Sequence, residues 1–237
     1  MTHLADSSLA VPAATLKTLS VAGTALRFPV NRIFCVGRNY AAHAREMGVD
    51  PEREPPFFFM KPAQAAVDAA LPVAVPYPPQ TRNFHHEVEL VVAIGRGGSE
   101  IAESQALSHV YGYAVGLDMT RRDLQLQARD KGRPWEFGKS FAQSAPVGAI
   151  HRAAVSGHPE HAAIALDVNG LSRQKSDIDL LIWSVAECIA QLSRFEALEP
   201  GDLIMTGTPE GVNSVVPGDT MRATIAGLGE IVVTVQR

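Results

Sequence analysis

Two glutamates and an aspartate beside apolar segments are the residues most able to do chemistry in this sequence. Glu87 and Glu89 lead into the apolar run 90–95, and Asp118 ends another, 111–117. Side chains alternate along a strand, so we predict that Glu87 and Glu89 share one face. Clustered carboxylates repel each other and are costly to desolvate, and a hard cation such as Mg²⁺ or Mn²⁺ relieves both penalties. The pattern predicts a metal site, although by itself Glu-x-Glu also fits an exposed strand face.

A histidine and a glutamate three residues apart form a second candidate site. If residues 42–47 are helical, His43 and Glu46 lie on one face, where the carboxylate can orient the imidazole. Such a pair suits a general base that activates water. The proline-rich segment 50–56 that follows would let this helix act as a lid. The spacing alone is more typical of a surface ion pair.

The sequence predicts that strands make up most of the structure around these residues. Pro and Gly turns separate short apolar runs, which predicts one mixed, mostly antiparallel α+β domain over 19–237, after a flexible leader, 1–18. The predicted strands are 19–28 as a pair around Gly23, 32–36, 57–61, 85–94, 111–117, 164–168, 203–205, 221–225 and 230–235. The predicted helices are 42–47, 121–131 and an amphipathic helix over 179–194.

Composition narrows the class of protein. The chain has 237 residues and a formal net charge of −4, with lysines and arginines scattered, so nothing favours nucleic acid or an anionic membrane as a partner. Cys35 and Cys188 lie in separate apolar segments, which predicts buried free thiols. We expect no membrane-spanning segment and no secretion signal, and therefore a cytoplasmic location.

Five ordered motifs carry a specific resemblance. They are Gly37-Arg38-Asn39-Tyr40-x-x-His43, His86-Glu87-x-Glu89, Leu117-Asp118-x-Thr120-x-Arg122-Asp123, Lys139-Ser140-Phe141 and Thr206-Gly207-Thr208-Pro209-x-Gly211. Over residues 31–237 the chain resembles the fumarylacetoacetate hydrolase family. It is most similar to the short acylpyruvate hydrolase branch, which includes bacterial fumarylpyruvate hydrolases.

The resemblance implies a fold and a set of roles. The fold is a mixed, mostly β roll with a few short helices, usually a homodimer. Mg²⁺ or Mn²⁺ would bind Glu87, Glu89 and Asp118. The implied catalytic residues are His43, Glu46 and Lys139, and the implied substrate contacts are Arg38, Arg122, Gln125 and Thr208. Without the resemblance, Lys139 would be taken for a surface lysine and the Thr-Gly-Thr-Pro segment for a turn.

One position departs from the larger family members, which carry a further aspartate ligand where this chain has Asn39-Tyr40. We therefore expect a site of three carboxylates that water or substrate completes.

The resemblance also implies the reaction, hydrolysis of the C–C bond in 2,4-dioxo acids, with fumarylpyruvate as the best single substrate, in gentisate breakdown. Water activated by His43 would attack the distal carbonyl, and a pyruvate enolate would leave. Oxaloacetate decarboxylation, or decarboxylation and isomerisation of an aromatic-catabolic dienoate, is the alternative, since fold does not fix reaction. A non-catalytic protein that binds metal or 2-oxo acids is the third hypothesis; an intact His43–Glu46 pair argues against it.

Overall fold

The computed structural model describes residues 9–48 and 54–237. In chain order its strands are β1 (Thr18–Ser20), β2 (Arg27–Pro29), β3 (Arg32–Gly37), β4 (Phe57–Pro62), β5 (Ala66–Asp68), β6 (Val73–Pro76), β7 (Phe84–His85), β8 (Val88–Ile94), β9 (Val110–Leu117), β10 (Thr120–Arg121), β11 (Ala145–Val147), β12 (His151–Arg152), β13 (Ala163–Val168), β14 (Leu171–Asp177), β15 (Leu203–Met205), β16 (Ser214–Val215), β17 (Thr220–Ile225) and β18 (Gly229–Gln236). Its α-helices are α1 (Ala41–Glu46), α2 (Glu103–Ala106), α3 (Arg122–Asp130), α4 (Glu136–Lys139), α5 (Ala153–Ser156) and α6 (Val185–Phe195).

The largest sheet has the strand order β4-β3-β15-β8-β9-β11-β5, with β12 also paired to β9. Every residue of its central strand β8 is buried. Leu90 and Val92 belong to one hydrophobic core and Val91 and Ala93 to another, because alternate side chains enter opposite faces. Strand β8 therefore divides two cores, and its position in mid-sheet holds Glu89 inside the protein.

A second sheet, of order β14-β13-β17-β18-β6, packs against the first core. Its hairpin between β13 and β14 turns at Asn169 and Gly170, whose φ angles of 53° and 77° suit the tight turn that this dipeptide predicts. The closing hairpin, β17 with β18, also forms as predicted. Strands β10, β7 and β16 make a small third sheet, and β1 pairs with β2. The predicted mixed, mostly β architecture with few short helices is confirmed.

The amphipathic helix predicted over 179–194 is wrong at its start. A 3₁₀ turn covers Ile178–Leu180, and α6 begins only at Val185. Ser184 caps it, because its hydroxyl accepts from the Glu187 backbone N–H while the Glu187 carboxylate accepts from the Ser184 N–H at 2.9 Å. This reciprocal capping box is a stronger start signal than apolar spacing.

Two other boundaries differ from those predicted. Glu87 precedes β8 instead of lying within one strand that runs from 85 to 94, because β7 ends at His85. Residues 1–8 of the predicted leader, and residues 50–53 of the predicted lid connection, lie outside the described residues. The first strand begins at Thr18, one residue before the predicted domain start.

The two cysteines are buried and unpaired, as predicted. Burial raises the pKa of the Cys188 thiol to about 12 and that of Cys35 well above its usual range. Both thiols are therefore protonated and inert near neutral pH. Among the described residues no helix has the length and apolar character needed to cross a membrane.

Candidate active site

Three buried carboxylates meet where β8 begins and β9 ends. Antiparallel pairing sets Val88 opposite Leu117, which brings the flanking Glu87 and Glu89 beside Asp118. The backbone N–H of Asp118 also donates to the Glu87 carbonyl at 2.9 Å. One oxygen from each of the three carboxylates lies within 4.8 Å of the others. The structure thus brings together the residues that the sequence predicts as metal ligands.

The chemistry of this cluster fits a hard divalent cation. The donors are all carboxylate oxygens, which Mg²⁺ and Mn²⁺ prefer. Burial, together with the charges of Asp118 and Glu87, raises the pKa of Glu89 well above its usual range. A carboxylate in such surroundings is stable as an anion only when further positive charge is supplied, and a dication supplies it.

Lys139 lies directly between two of the acids. It ends α4, and its Nζ is 2.7 Å from Glu87 Oε2 and 2.7 Å from Asp118 Oδ2. Although burial opposes the charged form, Asp118 and Glu87 raise the pKa of this ammonium. The two carboxylates therefore favour the charged form of Lys139, which lies at the floor of the site and is not a surface lysine.

Arg122 is the second cation against the cluster. It begins α3, and its guanidinium donates to Glu87 Oε1 and, at 2.5 Å, to Gln125 Oε1. Although burial opposes ionisation, Lys139 and Arg122 lower the pKa of Glu87 below its usual range. Burial and the Arg122 charge lower the pKa of His85 to about 4, so this neighbour is neutral at pH 7. Arg122 and Gln125 thus form one hydrogen-bonded unit with a candidate metal ligand.

A third cation, Lys61, has no role predicted from the sequence. Its fully buried Nζ lies 2.8 Å from Asp118 Oδ1 and donates to the Met119 carbonyl, the Ser144 hydroxyl and the Lys139 carbonyl. The available signal was a lysine within the aromatic segment 57–62, since a lysine in a buried strand needs an acidic partner.

The predicted pair of His43 and Glu46 forms on α1. Nδ1 of His43 is 3.1 Å from Glu46 Oε2, and His43 is buried, so the pair is not the fully exposed ion pair that spacing alone favoured. The backbone N–H of Gly211 donates to both Glu46 oxygens, at 3.1 and 3.2 Å. With Nδ1 turned toward Glu46, Nε2 is the imidazole nitrogen that remains to take a proton.

These groups line one open cleft. Nine of the ten residues predicted for the site line this cleft, and Glu46 is the exception. The other side chains that line it are Val36, Met47, Phe59, Leu126, Arg129 and Trp135. The Thr208 hydroxyl donates to the Val88 carbonyl and accepts from Gln174 Nε2, both at 2.8 Å. Its proton is therefore already used, and a substrate carboxylate would have to be bound by the Thr208 backbone N–H.

Asn39 stands where the larger family members carry a further aspartate. Its buried side-chain amide donates to the carbonyls of Trp183 and Thr206 at 2.8 Å and accepts from the Trp183 backbone N–H at 2.7 Å. These hydrogen bonds join the segments that contain Trp183 and Thr206. An aspartate could not make them, because its side chain has no N–H to donate to the two carbonyls. The expectation of a three-carboxylate site is consistent with this arrangement.

The family model for the fumarylacetoacetate (FAA) hydrolase C-terminal region matches residues 32–236. A fumarylpyruvate hydrolase from Ralstonia sp. is 51% identical over 79% of this chain and 96% of its own length. An oxaloacetate tautomerase from Escherichia coli is 39% identical over 86% of this chain and 93% of its own length. The crystal structure of a Pseudomonas aeruginosa fumarylpyruvate hydrolase, in complex with Mn²⁺ and pyruvate, superposes with a TM-score of 0.92 and 58% identity, covering 96% of this chain and 99% of that one.

Proposed function

The chain belongs to the fumarylacetoacetate hydrolase family, and on that premise we propose that it is a metal-dependent hydrolase of acylpyruvates. The proposed substrate is fumarylpyruvate, which water cleaves to fumarate and pyruvate. The proposal is supported by the 51% identical relative of that name and by the P. aeruginosa structure that contains Mn²⁺ and pyruvate. The single observation that carries it is the buried three-carboxylate cluster in one cleft with His43.

We propose Glu87, Glu89 and Asp118 as the ligands of Mg²⁺ or Mn²⁺. When bound, the cation supplies Lewis-acid stabilisation of negative charge that develops on substrate oxygens. Lys139, already charged and fixed 2.7 Å from two of these acids, would hold the 2-oxo oxygen of the substrate. The ammonium thus stabilises the oxygen on which the leaving group carries its charge.

The base in this proposal is Nε2 of His43. It takes a proton from water, and Glu46, 3.1 Å from Nδ1, stabilises the resulting imidazolium. The hydroxide attacks the acyl carbonyl, and the bond between C3 and C4 breaks with its electron pair on the pyruvyl fragment. The protonated His43 then returns the proton to C3. One water is consumed, and one fumarate and one pyruvate are released.

Arg122 and Gln125 position the reacting end of the site. Arg122 holds Glu87 and Gln125 together, so both side chains are fixed before substrate arrives. Arg38 and the backbone N–H of Thr208 complete the proposed substrate contacts on the cleft wall.

The test of the proposal is product identification. The Mn²⁺-loaded protein is mixed with fumarylpyruvate, and loss of the enol absorbance is followed while pyruvate and fumarate are measured separately. Equal amounts of the two acids are expected. Loss of absorbance without cleavage, or no reaction at all, would contradict the proposed hydrolysis.

Oxaloacetate tautomerisation is the second candidate, favoured by the 39% identical E. coli relative. Moving a proton between C3 and the 2-oxo oxygen needs a base and enolate stabilisation but no placed water. Lys139 and the three carboxylates meet the second of these requirements equally well. Oxaloacetate decarboxylation, the alternative that the sequence leaves open, differs in releasing CO₂, so the enol signal and gas release from oxaloacetate separate the two reactions.

We further propose that residues 19–237 act as a single catalytic domain, that the protein is a homodimer and that it is cytoplasmic. The first proposal is supported by strand β8, which contributes side chains to both hydrophobic cores and so joins them in one domain. Size-exclusion chromatography with light scattering tests the second, and cell fractionation tests the third.

A further inference from the structure

Helix α3 carries one face of the cleft from its buried start to its exposed end. Arg122, Gln125, Leu126 and Arg129 all line the cleft, at the i, i+3, i+4 and i+7 spacing of one helical face. Arg129 therefore lies about two helical turns, or about 10 Å, from Arg122 along the axis. An extended substrate that begins at the carboxylate cluster would reach toward Arg129.

The Arg129 guanidinium is available for a ligand. Within the structure its ion pair is with the next residue, Asp130, at 3.0 Å, and the two side chains are 36% and 64% exposed. Such exposed pairs contribute little to stability, so a carboxylate ligand in the cleft can replace Asp130 at small cost. The proposed hydrolysis makes no use of the Arg129 side chain.

A second arginine of the cleft wall, Arg38, is held in an unusual conformation. Its φ of 60° is one that L-residues rarely adopt, and its guanidinium lies 5.3 Å from the centre of the Phe57 ring. Phe57 in turn packs edge-on against Trp135, which also lines the cleft. Backbone strain of this kind is a common sign of a residue fixed for function.

Charge along the cleft is unevenly distributed. At its floor three acids face three cations, Lys61, Lys139 and Arg122. A divalent cation at the floor therefore adds net positive charge, and Arg38 and Arg129 add two more positive charges toward the outside. The apolar side chains of Phe59, Leu126 and Trp135 line the same cleft. This arrangement matches a ligand that is anionic at both ends and uncharged in the middle.

We propose that Arg129, assisted by Arg38, binds a terminal carboxylate on the acyl group, so that the protein selects acylpyruvates that are dicarboxylic acids. The inference rests on the proposed function for the orientation of the 2-oxo acid. It goes further in assigning the acyl-group preference to two arginines outside the metal cluster. An acylpyruvate with a methyl terminus would leave both guanidinium groups without a ligand anion.

The proposed binding of the terminal carboxylate can be tested with substrate analogues that the protein does not cleave. The Mn²⁺-loaded protein is titrated calorimetrically with 2-oxopimelate and with 2-oxoheptanoate, which share the 2-oxo acid and the chain length of fumarylpyruvate. They differ in ending with a carboxylate or a methyl group. We expect the diacid to bind about tenfold more tightly or better, as charge-assisted hydrogen bonds to arginine imply.

The informative variants are Arg129→Gln and Arg38→Gln, with Arg133→Gln as the matched control. Arg133 follows α3 and lines a separate outer cavity with Lys131 and Phe137. Arg129→Gln is expected to reduce the diacid preference to near unity while the affinity for 2-oxoheptanoate stays within about twofold, and Arg38→Gln is expected to reduce it in part. An unchanged preference in Arg129→Gln, no preference in the wild type, or equal loss in Arg133→Gln overturns the inference.

The test of the diacid preference and the test of fumarylpyruvate hydrolysis can succeed or fail independently of each other. If the preference depends on Arg129 but fumarylpyruvate is not cleaved, the hydrolysis fails and the two-ended recognition stands. If fumarylpyruvate is cleaved and the preference ignores Arg129, the inference fails and the hydrolysis stands.

Discussion

Glu46 accepts a hydrogen bond from the backbone N–H of Gly211 at 3.1 Å, which ties the helix bearing the candidate base to the loop after β15. The same carboxylate orients His43. Gly211 has a φ of 91°, and a side chain there would collide with the Arg173 carbonyl. Glu46 therefore both anchors α1 and supports the imidazole, and these two roles can be separated by substitution.

Glu46→Gln should keep the anchor and lose the charge. The amide oxygen can still accept from Gly211, but a neutral group no longer stabilises an imidazolium. We expect fumarylpyruvate hydrolysis to fall by about 100-fold or more, and oxaloacetate decarboxylation to fall much less because it needs neither a base nor water attack. Steady-state kinetics on both substrates measure the difference, with Glu46→Ala as the variant that loses the anchor too. Equal loss of both reactions in Glu46→Gln would show that Glu46 does not act by stabilising the His43 imidazolium during water attack.

Lys139→Met separates metal binding from catalysis. Removing an ammonium 2.7 Å from two candidate ligands removes a competing cation, so Mn²⁺ should bind at least as tightly as in the wild type. Turnover should fall by about 100-fold or more, because a fixed donor to the developing enolate is lost. Calorimetric Mn²⁺ titration and steady-state kinetics give the two values. Markedly weaker Mn²⁺ binding would mean that Lys139 organises the ligands and does not chiefly stabilise the leaving group.

Lys61→Met tests the cation that sequence reasoning missed. Its loss leaves the buried Asp118 with one ion-pair partner fewer, and breaking such a buried pair costs about 3–5 kcal/mol of unfolding free energy. The loss should be smaller in Mn²⁺-loaded protein, where the dication replaces part of the missing charge. Urea unfolding with and without Mn²⁺ measures both, and the exposed Lys175→Met is the control. A loss that Mn²⁺ leaves unchanged would argue for packing alone.

Asp123 provides a pH-dependent prediction away from the cluster. It joins α3 to the segment before β7, accepting from the Thr81 hydroxyl at 2.6 Å and the Arg82 backbone N–H at 2.9 Å. Although partial burial opposes ionisation, these hydrogen bonds hold the pKa of Asp123 below its usual value of 3.8. Its contribution to stability is therefore complete above pH 3.8 and disappears as the pH falls through the lower, folded-state pKa.

Asp123→Asn should accordingly lower the free energy of unfolding by about 1 kcal/mol at pH 7. The gap between variant and wild type should narrow as the pH is lowered below 3.8. Urea titrations across this pH series measure the gap, and Asp130→Asn at an exposed pair is the control. A gap that is constant with pH would show that ionisation of Asp123 does not contribute.

Local patterns were sufficient where neighbours in sequence determine the structure. The Asn169-Gly170 hairpin follows from turn chemistry alone, whereas the convergence of Glu89 with Asp118 also needs β8 to pair with β9. The start of α6 was wrong because Ser184 and Glu187 form a capping box that overrides apolar spacing.

Contacts between distant segments could not be predicted from spacing. The Lys61–Asp118 pair joins β4 to the residue after β9, although β3, β15 and β8 separate these two strands in the sheet. The Glu46–Gly211 bond depends on β15 pairing between β3 and β8. Their partners are 57 or more residues apart, and no local period links them. The order of strands in the sheet is the missing information.

We propose that the buried carboxylate cluster binds the metal on which fumarylpyruvate hydrolysis depends. The most direct measurement is turnover by metal-stripped protein titrated with Mn²⁺, for the wild type and for Glu87→Gln. Asp179→Asn is the matched control, because Asp179 belongs to an exposed His-Asp-Asp cluster elsewhere on the protein. We predict no turnover without metal, full recovery in the wild type and in Asp179→Asn, and little or none in Glu87→Gln. Turnover that persists without metal, or that recovers fully in Glu87→Gln, would show that hydrolysis does not depend on a metal bound by this cluster.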